Sequence, residues 1–364
     1  MTAIVTDAHY RMSVSLIRDL FDRGVRVAAC EKASIEAPVG FASRGAAQCV
    51  RLPDEEYEAA LLALCREVLE IEGEKPVLLP VGAKTLAMVS RSRDAFSAVA
   101  GLCAATPSQL ALFNDKAAVS ALAKTLGVPV PESFERQPEE ADEPFFSRVP
   151  LPCAVKPHCG ESFGLTASQR YRICRTKDEL RAAFHHFKAL TNEDPIVQEY
   201  LPGAAYGCSV LAKDGAVYRS LCHRRVREYP VSGGPSSCCE SVSRSDLLAF
   251  SEALVRKTGF TGPAMFEFKC AADGSPRLLE VNPRVWGTFP LTRAAKTDFA
   301  YSWFCLAAGL PLPEEVPAQH VKMAYYPADF AAGLGYLKAG QPGRFFAAAA
   351  DFLNPCVKNG IADP

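Results

Sequence analysis

Apolar positions at the start of the chain switch period within a few residues. Residues 3–7 form a short strand-like run, Val14, Leu16, Ile17, Leu20 and Phe21 then recur at helical spacing, and Gly24 supplies a helix-ending signal before a second apolar run at 25–30. A helix carried by Tyr57, Leu61, Leu64, Cys65 and Val68 leads into a further strand at 77–81. Strands alternating with helices predict a doubly wound α/β domain over residues 1–105. Its first turn, Asp7-Ala8-His9-Tyr10-Arg11, lacks the G-x-G-x-x-G that lets a backbone approach a pyrophosphate, which argues against a nicotinamide or flavin enzyme.

The pattern changes after Asp115. Val119, Leu122 and Leu126 predict a helix ending at Gly127, and Pro and Glu crowd residues 131–150 as in a surface connection. Strands are predicted at 153–156, 171–174 and 196–200, followed by hairpins turning at Asp214-Gly215 and Asp273-Gly274. An antiparallel-rich centre therefore follows a parallel N-terminal domain. The longest uncharged apolar stretch, residues 299–313, is shorter than the ~20 residues of a membrane span and reads as a buried helix and its exit. No internal repeat is visible.

Composition narrows the function classes. Forty Lys and Arg against 41 Asp and Glu give a net charge of -1, so there is no basic footprint for nucleic acid. At 49% hydrophobic and 22% charged, the chain can fill a large core. The 14 cysteines include no C-x-x-C pair, and vicinal Cys238 and Cys239 have no recognisable base or metal beside them, so reduced, inert thiols are expected. Asp7 interrupts the N-terminal apolar residues before a secretory h-region can form, and a cytoplasmic location is expected. The ending at Asp363-Pro364, without an evident closing element, fits a chain cut short.

Candidate chemistry concentrates in the second hairpin. A turn symmetric about Asp273-Gly274 sets Glu267 opposite Glu280, and the period of two puts Asn282 on the same face. Like charges directly opposed need something to offset them. Two carboxylates and an amide oxygen suit Mg²⁺, with Mn²⁺ also compatible, and Phe266, Phe268 and Val281 would bury the other face. The bland reading is an edge pair in solvent. Lys156 ends an apolar strand before a loop containing Gly160, Ser162 and Gly164, where a point charge and backbone N–H groups can hold a phosphate. Gln198-Glu199-Tyr200-Leu201, ended by Pro202-Gly203, is an extended segment whose backbone can face a purine edge.

In order, Asn114-Asp115-Lys116, Val155-Lys156-Pro157 with its loop, Gln198-Glu199-Tyr200-Leu201, Glu267 and Glu280-Val281-Asn282-Pro283-Arg284 resemble the ATP-grasp superfamily from Asn114 to about Pro313. The resemblance implies a small pre-ATP-grasp domain over 1–105, a two-subdomain ATP-grasp fold over 106–313 with a lid at 131–197, and a C-terminal extension over 314–364. It implies that Lys116 and Lys156 contact ATP phosphates and that the glycine loop covers them. The Gln198 carbonyl and Leu201 N–H, with Glu199 beside them, would meet the adenine. Glu267, Glu280 and Asn282 would hold two Mg²⁺, and Arg284 would steady the transferred phosphoryl group. The loop carries only two glycines, and Ala204-Ala205-Tyr206 stands where many relatives place a polar contact for the ribose. His223-Arg224-Arg225-Val226-Arg227-Glu228-Tyr229-Pro230, followed by Ser232-Gly233-Gly234-Pro235-Ser236, further resembles bacterial ATP-grasp proteins described as carboxylate-amine ligases, to which D-aspartate ligases are related.

Alternation puts His223, Arg225 and Arg227 on one strand face, roughly 7 Å apart from one to the next. They are read as a clamp for the substrate carboxylate and its acyl phosphate, with Ser232, Gly233, Gly234 and Ser236 offering donors for an oxyanion and Glu240 an anchor for an amine. The plainer reading is a solvated basic edge, which would move the acceptor site to Asp7, His9 and Arg11. The expected activity joins a carboxylate to an amine at the expense of ATP. Its substrates would be small molecules, with no nucleic-acid or membrane partner and a homodimer left open. Carboxylation or carbamoyl transfer through carboxyphosphate, and nucleotide binding without turnover, are the rival readings.

Overall fold

A computed structural model of the chain describes residues 1–158, 165, 169–231 and 233–360. The first apolar runs form a parallel sheet of β1 (Thr2–Val5), β2 (Arg26–Lys32), β3 (Ala46–Leu52) and β4 (Val77–Leu79), in the order β3-β2-β1-β4. Alternation along β1 sends Ala3 and Val5 into one core with Leu16, Ile17 and Leu20, and Ile4 into another with Leu61, Leu64 and Cys65. Helices thus cover both faces, as the pattern predicts. β3 carries no apolar alternation because it is an edge strand with only Leu52 buried.

A second, antiparallel sheet contains β5 (Ser133–Phe134), β6 (Cys153–Lys156), β7 (Arg172–Cys174) and β8 (Ile196–Glu199), ordered β5-β8-β6-β7. Phe145, Phe146, Phe184 and Phe187 seal it beneath the helices Asp142–Arg148 and Lys177–Thr191. The second of these begins at a Thr176/Glu179 capping box, a start signal legible in the sequence.

The third sheet holds β9 (Ala204–Lys213), β10 (Ala216–Glu228), β11 (Ser236–Val242), β12 (Gly262–Cys270), β13 (Pro276–Asn282), β14 (Lys322–Ala324) and β15 (Lys358–Asn359). Their order is β13-β12-β9-β10-β11-β14-β15. Asp214 and Gly215 both take positive φ, 51° and 82°, the two-residue turn that matches strand twist. One face of this sheet buries Cys208, Val210, Ala264, Phe266 and Phe268 against Phe113, Val119, Leu247 and Leu254 of flanking helices. The other face meets the N-terminal unit through Met265, Leu211, Trp286, Phe299 and Trp303, and the Trp303 Nε1–H donates to the Cys103 carbonyl at 2.7 Å. Glu267, two residues after Met265, lies on that second face.

Residues 299–308 form the expected buried helix, and among the described residues no helix is long and apolar enough to cross a membrane. Cys238 and Cys239 are buried and free, and burial pushes both thiols up to about 12, which keeps them protonated at neutral pH.

Candidate active site

The site is laid out by strand register. Glu267 of β12 pairs with Glu280 of β13 on one side and with Gly207 of β9 on the other, and Gly207 pairs in turn with His223 of β10. Cross-strand partners share a face, so the row runs Glu280, Glu267, Gly207, His223. The carboxylates oppose each other as the sequence predicts, but not through a symmetric turn. The connection spans 271–275, and Cys270 pairs with Pro276, one residue out of that register. A bulge between Glu267 and Phe268 restores it at the functional pair.

Cations surround the pair. Lys116 lies 3.1 Å from Glu280, delivered by a helix, Lys116–Thr125, whose N-terminus is fixed by the Asp115 carboxylate accepting from the Ala117 and Ala118 N–H groups. Lys156 arrives from the end of β6 in the other sheet. Burial and the charge of Lys116 hold its ammonium down at about 8, with Glu280 acting in the opposite sense. Burial would raise the Glu280 carboxyl, but Lys116, Lys156 and Arg225 outweigh it and hold that group at about 2. Glu267 is pushed upward by burial and by Glu280, while Arg225 opposes the shift. The Arg225 Nη2 donates to Glu267 Oε2 at 2.6 Å, and Asn282 Nδ2 donates to Glu267 Oε1 at 3.0 Å. The Arg284 Nη1 donates to the Val285 carbonyl, and its Nη2 lies 3.5 Å from Asn282 Oδ1.

Two carboxylates and a nearby amide oxygen form a hard donor set that fits Mg²⁺, which takes one or two protein carboxylates and completes its shell with water and phosphate. Among the described residues, no group of three or more His, Cys, Asp and Glu is gathered to hold a metal. The fit therefore needs oxygens from a ligand.

Other predicted positions are placed differently. His223 is fully enclosed: its buried ring lies against Gly207, its Nε2 is 3.2 Å from Thr288 Oγ1, and burial and Arg225 hold its imidazole down at about 3, so it is neutral there. A Cβ on residue 207 would overlap the ring, which is why the strand carries glycine there. Gly207→Ala is expected to displace His223 and to lower stability by ~1–3 kcal/mol, as overpacking does, measured as a fall in the urea midpoint. An unchanged midpoint would show that the ring relaxes freely.

Arg227 leaves the face of Arg225 altogether. Arg225 pairs with Cys239 and Arg227 with Cys238, so a bulge at Val226 breaks the alternation. Arg227 Nε and Nη2 instead donate to both oxygens of buried Asp329, and Nη1 donates to Asp351. The clamp of three basic residues is thus reduced on this face to Arg225. Nothing in the sequence near Arg227 signals either aspartate, because both lie far along the chain.

Ser236 spends its hydroxyl on the Cys238 carbonyl, and Glu240 is paired with Arg224 at 2.6 Å. Gly233, at φ 126°, packs where a side chain would overlap the Tyr171 hydroxyl, and Gly234 sits over the Tyr229 carbonyl. The loop thus touches the second sheet's unit. Gln198 is buried within β8, paired with Ser133 and Ala154 on its two sides, so its backbone is committed to the ladder and its side-chain Nε2 donates to Ser133 Oγ. Glu199 ends that strand. The Leu201 N–H, past the end of β8, has no hydrogen-bond partner among the described residues. Gly160, Ser162, Gly164 and Ser232 lie outside the described residues.

Comparison with known proteins bears on the fold and on one segment of the chain. The sequence profile of a family described as ATP-grasp in the biosynthetic pathway with Ter operon matches residues 191–327. No curated protein gives a match. Among solved structures, a Campylobacter jejuni biotin carboxylase in complex with βγ-ATP is 14% identical, with 88% of this chain and 74% of that chain covered and a TM-score of 0.68. The biotin carboxylase domain of Hydrogenobacter thermophilus 2-oxoglutarate carboxylase, in complex with MgADP, ADP and bicarbonate, is 15% identical at 88% and 73% coverage, TM-score 0.67. An L-amino acid ligase from Bacillus licheniformis is 15% identical at 88% and 78% coverage, TM-score 0.61. Residues 191–327 thus match an ATP-grasp family profile, and 88% of the chain shares its fold with these enzymes.

Proposed function

We propose that the chain is an ATP-dependent carboxylate-amine ligase. The observation that carries this reading is the convergence of Lys116, Lys156, Arg225 and Arg284 on a directly opposed Glu267/Glu280 pair, an arrangement suited to binding a metal-bound triphosphate beside a carboxylate. In the proposed reaction a carboxylate oxygen takes the γ-phosphoryl group and ADP leaves. An amine nitrogen then attacks the acyl carbon, phosphate departs, and the nitrogen loses a proton to give the amide. Bound at Glu267, Glu280 and Asn282, Mg²⁺, one ion or two, would supply charge neutralisation for the phosphate oxygens. The protein's own share is positioning: Lys116 and Lys156 reach Glu280's surroundings from opposite units, Arg225 orders Glu267, and Arg284 stays beside Asn282. The backbone beyond Gln198, ending at the Leu201 N–H, is the better candidate for the adenine edge.

Similarity to the L-amino acid ligase supports amide formation, whereas similarity to the two biotin carboxylase structures supports a second reading, carboxylation through carboxyphosphate. ADP release is to be measured with ATP and Mg²⁺ against carboxylic and amino acids, singly and in pairs, with bicarbonate as a separate arm and mass analysis of products. A product weighing the two substrates less one water is expected. ADP release that needs bicarbonate and no amine would replace the ligase reading with the second.

Lys156→Ala and Lys116→Ala are each expected to weaken ATP binding by ~10-fold or more, because each removes a charge-assisted contact to phosphate. The readout is ATP-dependent thermal stabilisation. If both single variants are stabilised as fully as wild type, the lysines do not meet the nucleotide.

A further inference from the structure

With Arg227 turned away, the face beyond Arg225 still carries a second guanidinium, supplied by the N-terminal unit. Arg11 opens the helix Arg11–Asp22, its Nε donates to the Gly287 carbonyl at 3.0 Å, and its guanidinium lies 4.0 Å from the centroid of the Tyr325 ring. Tyr325 is fully buried and continues β14, its N–H donating to the Ser237 carbonyl. Its hydroxyl is 3.8 Å from the Cys239 sulfur, and Cys239 is the cross-strand partner of Arg225. Arg225, Cys239, Tyr325 and Arg11 therefore follow one another along the face that holds Glu267. Among the described residues Arg11 has no carboxylate partner, and neither of its Nη groups has a hydrogen-bond partner.

The two arginines differ in what they have left to offer. Arg225 is engaged with Glu267 at 2.6 Å, next to the carboxylate pair. Arg11 is held in place by one backbone bond and one ring, with its paired N–H fork unused. A part-buried guanidinium oriented by its own protein but left without an anion is an unfavourable arrangement that a carboxylate resolves, since the two geometries match bidentately. On the proposed ligase reading the reacting carboxylate lies with the phosphates, beside Glu267, Glu280 and Arg284. A carboxylate at Arg11 is consequently one that takes no part in bond formation.

We propose that the Arg11 fork, backed by Tyr325 and Gly287, binds a non-reacting carboxylate of a substrate, so that at least one of the two molecules joined is an amino acid or dicarboxylic acid. This rests on the ligase reading for the identity of the site, and the shared chemistry covers either the amine substrate or the activated acid.

The test uses full-length wild type, Arg11→Met, which keeps an apolar stem on the Tyr325 ring, and Arg11→Lys. With the substrate pair found by ADP release, KM is measured for each substrate and for its analogue in which the non-reacting carboxylate is a carboxamide. Arg11→Met is expected to raise KM for one substrate by about 10–100-fold while ATP-dependent thermal stabilisation is unchanged. The carboxamide analogue of that substrate should serve wild type and variant equally poorly, and the substrate whose analogue behaves so is the one that Arg11 holds. Arg11→Lys should recover only part of the loss, because a point charge lacks the fork. Unchanged KM values, or acid and amide weakened in parallel, would overturn the proposal. Calorimetry in the presence of Mg²⁺ and a non-hydrolysable ATP analogue keeps the two readings apart. Titration with L-alanine, L-aspartate, succinate and their amides needs no turnover. An acid-over-amide preference lost in Arg11→Met supports the proposal even if no amide product forms, and the absence of that preference in wild type overturns it.

Discussion

Replacing Glu280 with glutamine is expected to abolish Mg²⁺-dependent ATP turnover while the protein stays folded. The substitution keeps the shape and removes one negative charge from the point where Lys116, Lys156 and Arg225 act together. Those cations hold the Glu280 carboxyl at about 2, so it is ionised at any pH at which the protein would work. A glutamine amide can still accept from Lys116, which favours a folded product. It cannot neutralise a divalent cation opposite Glu267. The loss should exceed the ~10–100-fold that residues one layer out from a metal typically cost. The checks are ADP release as a function of Mg²⁺ concentration and Mn²⁺ binding followed by electron paramagnetic resonance. Wild-type turnover in the glutamine variant would sink the assignment of this pair to the metal.

That pair was legible in the sequence for partly accidental reasons. A symmetric two-residue turn at Asp273-Gly274 gives the right partners, but the longer connection shifts the register by one and the bulge beside Phe268 shifts it back. What made the prediction robust was the face: Phe266, Phe268 and Val281 had to be buried, and a slip of one residue would have turned them out. Lys116 and Lys156 were weak signals alone because each is a single charge at the end of an element. They acquire meaning only when the helix Lys116–Thr125 and β6 bring them to Glu280 from different units.

The basic strand shows the opposite case. Nothing local in Arg225-Val226-Arg227 announces a bulge, and strict alternation is the natural reading. The partners that draw Arg227 to the other face lie on helices roughly a hundred residues later, at Asp329 and Asp351, where the sequence shows only acids among alanines and aromatics. The sequence carries a different signal for His223. Gly207, in the middle of a long apolar strand, marks a close approach of something bulky, here the His223 ring. Read that way, it packs the His223 ring against β9.

Arg227→Ala is expected to destabilise the protein by about 3–5 kcal/mol, the range found when one partner of a buried ion pair is removed. Arg227 is 3% exposed and Asp329 1%, so the alanine variant would leave a carboxylate buried with only the Ser237 hydroxyl and no counter-charge. The same residue ties β10 to two C-terminal helices, Ala328–Lys338 through Asp329 and Pro342–Leu353 through Asp351. Asp351 is better protected, since Lys322 also reaches it at 2.6 Å. The double variant Arg227→Met/Asp329→Leu removes both buried charges and is expected to regain most of the stability, because an apolar pair of similar volume avoids the cost of taking two ions out of water. Urea unfolding of the three proteins measures this directly. The double variant also separates the two roles that the sequence allows for Arg227. An arginine that only joins strand to helices can be replaced in this way with ADP release retained, whereas an arginine that grips substrate cannot. A double variant as stable as wild type but without substrate-dependent ADP release would return Arg227 to the active site.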